Sequence, residues 1–111
     1  VLTKVNYRDK LDIIADILTA ASKNAKRTQI MYQANLSYRV LIKYLDEVVA
    51  SSLISFNQDQ QHYVLTEKGK EFLTAYKNYA KSSKYAEKRL EEVRKKKDEL
   101  EELCKTPVGS N

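Results

Sequence analysis

Apolar residues in the first half of the chain recur at helical spacing in three separate runs. From Tyr7 to Ala21, Leu11, Ile14, Ala15, Leu18 and Ala21 share one face, widened by Ile13 and Ile17, which predicts a helix buried on more than one side. Asp9 and Asp12 sit near its front, where acids suit the helix dipole. Ser22 to Lys26 breaks the pattern and reads as a loop, with Asn24 assisting the turn. Lys26 to Ala34 predicts a short second helix with Ile30 and Met31 inward. Asn35-Leu36-Ser37 interrupts it, and Ser37 is a suitable N-cap for a third helix, Tyr38 to about Ser51, with Leu41, Tyr44, Leu45, Val48 and Val49 inward. Leu36, apolar within the turn, reads as a plug between the two helices. Tyr32, like Tyr44, is assigned to packing. Two helices joined by so short a plugged turn form a helix-turn-helix unit.

The period then changes. Leu53 to Phe56 and Gln61 to Leu65 alternate weakly around Asn57-Gln58-Asp59-Gln60 and read as a β-hairpin. Thr66 caps the next element, and Gly69 in its first turn is expected to be tolerated because the hairpin backbone passes close by. From Phe72, residues four and three apart give Phe72, Tyr76, Tyr79, Ser83, Ala86, Leu90, Val93, Lys97, Leu100 and Cys104, with no Gly or Pro between Lys70 and Thr106. This is a long helix with a coiled-coil seam, about 57 Å if unbroken, and it predicts a dimer. Phe72, Tyr76 and Tyr79 are expected to pack on the preceding domain. The seam proper is then Ser83, Ala86, Leu90, Val93, Lys97, Leu100 and Cys104. Lys97 would set register or strand orientation at a cost in stability.

The fold class expected is mainly α with a small β-hairpin: a winged helix-turn-helix whose long C-terminal helix forms a dimeric coiled coil. Residues 7–66 make the winged domain, 67–104 the dimerisation helix and 105–111 a flexible tail.

Charge sharpens this picture. The 111 residues carry 20 Lys and Arg against 15 Asp and Glu, a formal net charge of +5. Their distribution matters more than the sum. Ile17 to Leu45 contains no acid, while Lys23, Lys26, Arg27, Arg39 and Lys43 lie within it. The window is either a phosphate-facing surface or a solvated basic face. Along the long helix opposite charges fall three or four apart, for example Glu91 with Lys95 and Arg94 with Asp98, as on a solvated coiled-coil exterior.

Catalytic equipment is lacking, so no enzyme, no cofactor and no metal site are expected. One Cys and one His make a poor metal site. Cys104 reads as a small seam hydrophobe and His62 as a surface residue near a strand edge. No apolar run reaches the roughly 20 residues of a membrane span, and Val1 to Tyr7 does not resemble a signal peptide, so an intracellular protein without membrane or small-molecule partners is expected.

A helix-turn-helix presents the N-terminal part of its second helix to the major groove. Ser37, Tyr38, Arg39, Ile42 and Lys43 hold those positions. Arg39 could read a guanine edge, Lys43 and Tyr38 phosphates, and Ile42 a thymine methyl. Lys26, Arg27, Thr28 and Gln29 would flank the DNA backbone. The wing tip, Asn57 to His62, is polar and includes Asp59, which makes it a weak contact.

The run Thr28-Gln29-Ile30-Met31-Tyr32-Gln33-Ala34-Asn35-Leu36-Ser37-Tyr38, with Leu41 and Tyr44-Leu45 after it, resembles the signature of small chromatin-associated winged-helix proteins of Sulfolobus and related archaea. Tyr63-Val64-Leu65-Thr66-Glu67-Lys68-Gly69 resembles the segment that leads into their last helix. The resemblance implies an elongated homodimer with an antiparallel coiled coil. It also implies binding to double-stranded DNA, between nucleoid organisation and transcriptional regulation, in the cytoplasm. The glutamine-rich wing, without Lys or Arg, departs from that family's strongly basic character. The alternative is a protein-interaction adaptor that keeps the winged helix as a scaffold without DNA binding.

Overall fold

The computed structural model describes residues 8–107. Tyr7, where the first helix and the winged domain were expected to begin, and residues 108–111 of the expected tail lie outside them. The elements follow in the order helix, helix, helix, hairpin, helix: α1 Lys10–Ala21, α2 Arg27–Gln33, α3 Tyr38–Ala50, β1 Ile54–Asn57, β2 His62–Leu65 and α4 Glu67–Leu103.

Asp9 explains why α1 starts later than its periodicity suggests. Its carboxylate accepts from the Asp12 N–H at 3.0 Å, while the Asp12 carboxylate accepts from the Asp9 N–H at 3.0 Å. This reciprocal capping box satisfies two donors that a helix start leaves orphaned. Ile14, Ile17, Leu18 and Ala21 are buried from α1, Ile30 and Ala34 from α2, and Leu41, Leu45 and Val48 from α3. Leu53, Ile54 and Tyr63 close the core from the hairpin side.

Three packing expectations are corrected. Leu11 is 41% exposed, one turn ahead of where the buried ladder of α1 begins. Val49 is 38% exposed, about 80° around α3 from Leu41 and so at the edge of its ladder. Tyr32 is 79% exposed, because it lies two residues, about 200°, from both Ile30 and Ala34, the residues that α2 buries.

Both helix ends that shape the site stop in the same way. After α2, Leu36 N–H donates to Met31 O at 3.0 Å and Asn35 N–H to Tyr32 O at 3.2 Å, with Asn35 left-handed at φ 53°. After α3, Leu53 N–H donates to Val48 O at 2.9 Å and Ser52 N–H to Val49 O at 3.0 Å, with Ser52 at φ 66°. These are Schellman endings, in which an apolar residue follows the left-handed one and packs back on the helix. Leu36 and Leu53 are those residues, packed against the core and within it respectively. The plug expected at Leu36 is therefore the hydrophobic half of a helix stop.

The strands pair antiparallel from Ile54 with Leu65 to Asn57 with His62. An isolated bridge adds Ala25, whose N–H donates to Tyr63 O at 3.2 Å and whose carbonyl accepts from Tyr63 N–H at 2.8 Å. His62, expected at the surface, is half-buried, and its Nδ1 has no hydrogen-bond partner among the described residues.

Thr66 caps α4 as expected. Its hydroxyl accepts from the Gly69 N–H at 3.0 Å and donates toward Ser52 O and Leu53 O at 2.7 and 2.9 Å. Gly69 is buried, and a Cβ there would lie 2.2 Å from Leu53 O, so the close backbone approach is real.

The chain divides into two compact units, the first ending at Lys77. That unit includes the opening turns of α4, where Phe72 and Leu73 pack against the core and the Tyr76 hydroxyl donates to the Asp12 carboxylate. In the second unit, Ser83 is half-buried and the rest of the seam, through Cys104, is exposed in the single chain. There Arg94 pairs with Glu91 at 2.5 Å, one turn back, where an Asp98 pairing was expected, and Arg89 lies 3.6 Å from Glu92.

Candidate nucleic-acid interface

The residues singled out on α3 stand on the face that the core leaves over. Arg39 and Lys43 each lie two residues from buried Leu41, about 200° around the helix in opposite senses, and both are exposed. Tyr38 is 57% exposed beside them. Ile42, about 100° from Leu41, is half-buried. Ser37 is exposed, and its hydroxyl oxygen accepts from the Val40 N–H at 3.3 Å, so it serves as the expected N-cap. The Lys43 ammonium lies 5.3 Å from the Tyr44 ring centroid.

At the start of α2, Lys26, Arg27, Thr28 and Gln29 are all exposed. The Gln29 side-chain oxygen accepts from the Lys26 N–H at 2.8 Å, which commits that atom to the helix start. Lys26, Arg27 and Thr28 form one wall of an open cleft of about 520 Å³ whose other wall is the hairpin, through Phe56, Gln61 and Tyr63. Tyr63 is buried, its ring 4.9 Å from that of Phe56. The nearness of Tyr63, and to a smaller degree of Tyr38, raises the pKa of the Arg27 guanidinium above its ordinary value.

Sequence reasoning missed this cleft. The alternation of β2 marks Tyr63 as one face of a strand, but which loop it meets is a contact across the chain that no local pattern reports. At the wing tip, the Asn57 side chain accepts from the Gln60 N–H at 3.0 Å and Gln61 is left-handed at φ 56°, so turn chemistry occupies part of its polar character.

Charges partition sharply within this unit. Asp16 pairs with Arg8 at 2.8 Å, Glu47 with Lys10 at 2.5 Å, and Asp12 with the Tyr76 hydroxyl. The Tyr76 hydrogen bond holds the Asp12 carboxyl below its ordinary pKa, and Glu47 raises that of Lys10. Among the described residues, none of Lys23, Lys26, Arg27, Arg39 and Lys43 lies within ion-pair distance of a carboxylate. No cluster of three or more His, Cys, Asp or Glu that could hold a metal ion occurs among the described residues. No helix there is long and apolar enough to cross a membrane.

Comparison with known proteins matches residues 7–84 to the winged helix-turn-helix family. The chain is 32% identical over 69 residues to the uncharacterized protein MJ0287 of Methanocaldococcus jannaschii, covering 61% of this chain and 69% of that protein. Its structure is similar to the crystal structure of Sso10a-2, a DNA-binding protein from Sulfolobus solfataricus, with a TM-score of 0.64 at 27% identity, over 90% of this chain and 100% of the other. The resemblance to Sulfolobus winged-helix proteins carried by the eleven-residue run is thereby found again in the fold. By element order, helix-turn-helix geometry and family match alike, the chain belongs to the winged helix-turn-helix family.

Proposed function

We propose that this protein is a non-enzymatic, double-stranded DNA-binding homodimer. The observation that carries the reading is the charge partition: among the described residues five cations in an acid-free window stand without carboxylate partners, while Asp16, Glu47 and Asp12 of the same unit are tied to Arg8, Lys10 and Tyr76. Unpaired cations beside an exposed recognition helix suit phosphates, whose neutralisation releases counterions. The DNA-binding character of Sso10a-2 supports the same reading. Lys26, Arg27, Thr28 and Gln29 flank the backbone, and Ser37, Tyr38, Arg39, Ile42 and Lys43 enter the groove. Arg39 is the one cation at the start of the recognition helix with the planar fork for a guanine edge. That favours low sequence preference, as for a nucleoid-associated architectural protein in the cytoplasm, over a sequence-specific transcriptional regulator.

In this reading residues 7–66 bind DNA, 67–104 join two copies and 105–111 form a tail. Leu90, Val93 and Leu100 are 58%, 58% and 65% exposed in the single chain, which leaves a seam for a second copy to cover. A parallel pairing would set Lys97 against Lys97 and Ala86 against Ala86. An antiparallel pairing centred on Val93, the middle of that seam, sets Lys97 against Leu90 and keeps the two lysines apart, so the antiparallel form is favoured.

The test is a salt titration of binding to a short labelled duplex. Arg39→Ala with Lys43→Ala should weaken binding and lower the slope of log affinity against log salt by about 1.8, at about 0.9 per phosphate contact. An unchanged slope removes α3 from the interface, and an absence of affinity at low salt favours the adaptor. A monomeric mass at micromolar concentration would end the dimer reading.

A further inference from the structure

The mixed charge of α4 is not uniform along its length. Between Glu71 and Glu87 the helix carries no acid, and Lys81 and Lys84 fall in this second acid-free window, with Lys88 just past it. All three are exposed. Among the described residues, the ion pairs of the second unit join Arg89 with Glu92, Arg94 with Glu91 and Lys105 with Glu102, and none includes these lysines. The spacing explains why. Lys81 has no acid three or four residues away in either direction, and Lys84 has only Glu87. Glu91 and Glu92, three and four residues beyond Lys88, are held by Arg94 and Arg89. The lysines instead stand three and four apart from one another, a like-charge arrangement that weakens a helix and that an anionic partner would relieve.

We infer that Lys81, Lys84 and Lys88 form a second surface for duplex DNA, on the outer face of α4 and independent of α2 and α3. The inference rests on the DNA-binding reading above and gives the long helix a binding role besides joining two copies. At 100° per residue the three lysines lie roughly 140° to 180° around the helix from the mean direction of Ser83, Ala86, Leu90, Val93 and Lys97. A second copy seated on that seam, running either way, leaves them open to solvent. From Lys81 to Lys88 the helix rises about 10 Å, a length over which a duplex carries about six phosphates. An ammonium on a flexible four-carbon stem acts as a point charge and needs no fixed fork to meet one. Three such contacts read no base, so the surface adds affinity without sequence preference.

The experiment is a salt titration of the full chain against a labelled duplex of several helical turns. Replacing all three, Lys81→Gln with Lys84→Gln and Lys88→Gln, should lower the slope of log affinity against log salt by about 2.7. Glutamine keeps the helix propensity of lysine, so folding is expected to survive. The matched control is Lys95→Gln with Lys96→Gln and Lys105→Gln, which removes the same charge from lysines that each have at least two acids three or four residues away. It should keep the slope close to that of the parent. An equal fall in the control overturns the inference, because the lysines would then act only through total charge. So does an unchanged slope in the first variant while Arg39→Ala with Lys43→Ala lowers it, an outcome that leaves the DNA-binding reading intact. Absence of duplex affinity in the parent chain at low salt overturns both. Should the first variant fail to fold, acylation of the parent's lysines with and without duplex, read by mass spectrometry, decides the matter. Lys81, Lys84 and Lys88 should be protected by the duplex, and unchanged reactivity overturns the inference.

Discussion

Gly69→Ala sets two effects of opposite sign against each other at one atom. In an unobstructed helix the change favours folding by about 1 kcal/mol, since glycine has more backbone freedom to lose. Here the new Cβ would lie 2.2 Å from Leu53 O and 2.5 Å from Leu65 Cδ1. The leucine tip can rotate; the carbonyl cannot, because it ends the Schellman stop after α3 and accepts from Thr66 N–H at 3.2 Å and from the Thr66 hydroxyl at 2.9 Å. Restoring an ordinary contact needs a separation of about 1 Å, at a typical overpacking cost of about 1 to 3 kcal/mol. Loss of the two Thr66 hydrogen bonds adds about 1 kcal/mol each. After the propensity gain is subtracted, the variant should be less stable by about 2 to 4 kcal/mol, a fall in Tm of roughly 10 °C or more for a domain of this size. Gly69 is helical, without a positive φ, so backbone strain adds nothing to the comparison. Thermal and urea denaturation followed by circular dichroism at matched chain concentration would measure it. A variant as stable as the parent, or more so, would refute the close approach of α4 to the hairpin.

Tyr76→Phe should cost about 1 to 2 kcal/mol near neutral pH by removing the hydrogen bond to Asp12. It should also flatten the stability curve at both ends. The lowered Asp12 pKa contributes stability that is present above the ordinary carboxylate value and lost as pH falls through the folded value; Tyr76, raised from 10.0 to about 12, contributes stability that is present below 10 and lost as pH rises toward 12. Denaturation midpoints across pH for parent and variant check this, and parallel curves would contradict it. Arg8→Ala removes hydrogen bonds to Asp16 at 2.8 Å, Ala34 O at 2.6 Å and Asn35 O at 2.8 Å, and should destabilise by about 1 to 3 kcal/mol. DNA affinity should fall while the salt slope stays at the parent value; a lower slope would mean that Arg8 itself touches phosphate. Lys97→Leu should strengthen the dimer and weaken its orientation preference, so that oxidative crosslinking of exposed Cys104 to its copy rises above the parent level. Equal crosslinking in the two proteins would count against an antiparallel parent.

Legibility in the sequence followed the range of the interaction. Ile14, Ile17, Leu18, Leu41, Leu45 and Val48 announce their helices because helical period and burial coincide, and Ser37 and Thr66 announce theirs because a cap is a contact over three residues. Tyr32 misled because its aromatic character suggested burial, when its angle from Ile30 and Ala34 already pointed it outward. The positions of Arg39 and Lys43 opposite Leu41 follow from the same angular arithmetic. By contrast, the Arg8 contacts to Ala34 and Asn35 span 26 and 27 residues, and no local pattern encodes them. The Tyr63 bridge to Ala25 is of the same kind, which is why the cleft was hidden while the exposed face of α3 was not.

These long-range contacts also bear on how the acids of the winged unit are partnered. An arginine that bonds the Ala34 and Asn35 carbonyls satisfies acceptors that the end of α2 leaves over, and its tie to Asp16 neutralises an acid on the neighbouring helix. Lys10 does the same for Glu47 of α3, and Tyr76 lowers the cost of keeping Asp12 charged. Each contact gives an acid of the winged unit a partner outside the acid-free window. A surface built to be neutral would have paired these charges across the two sets. Among the described residues Asp12, Asp16 and Glu47 have partners within one set, while Lys23, Lys26, Arg27, Arg39 and Lys43 have no carboxylate partner in the other, and a set of open cations gains most from a polyanion.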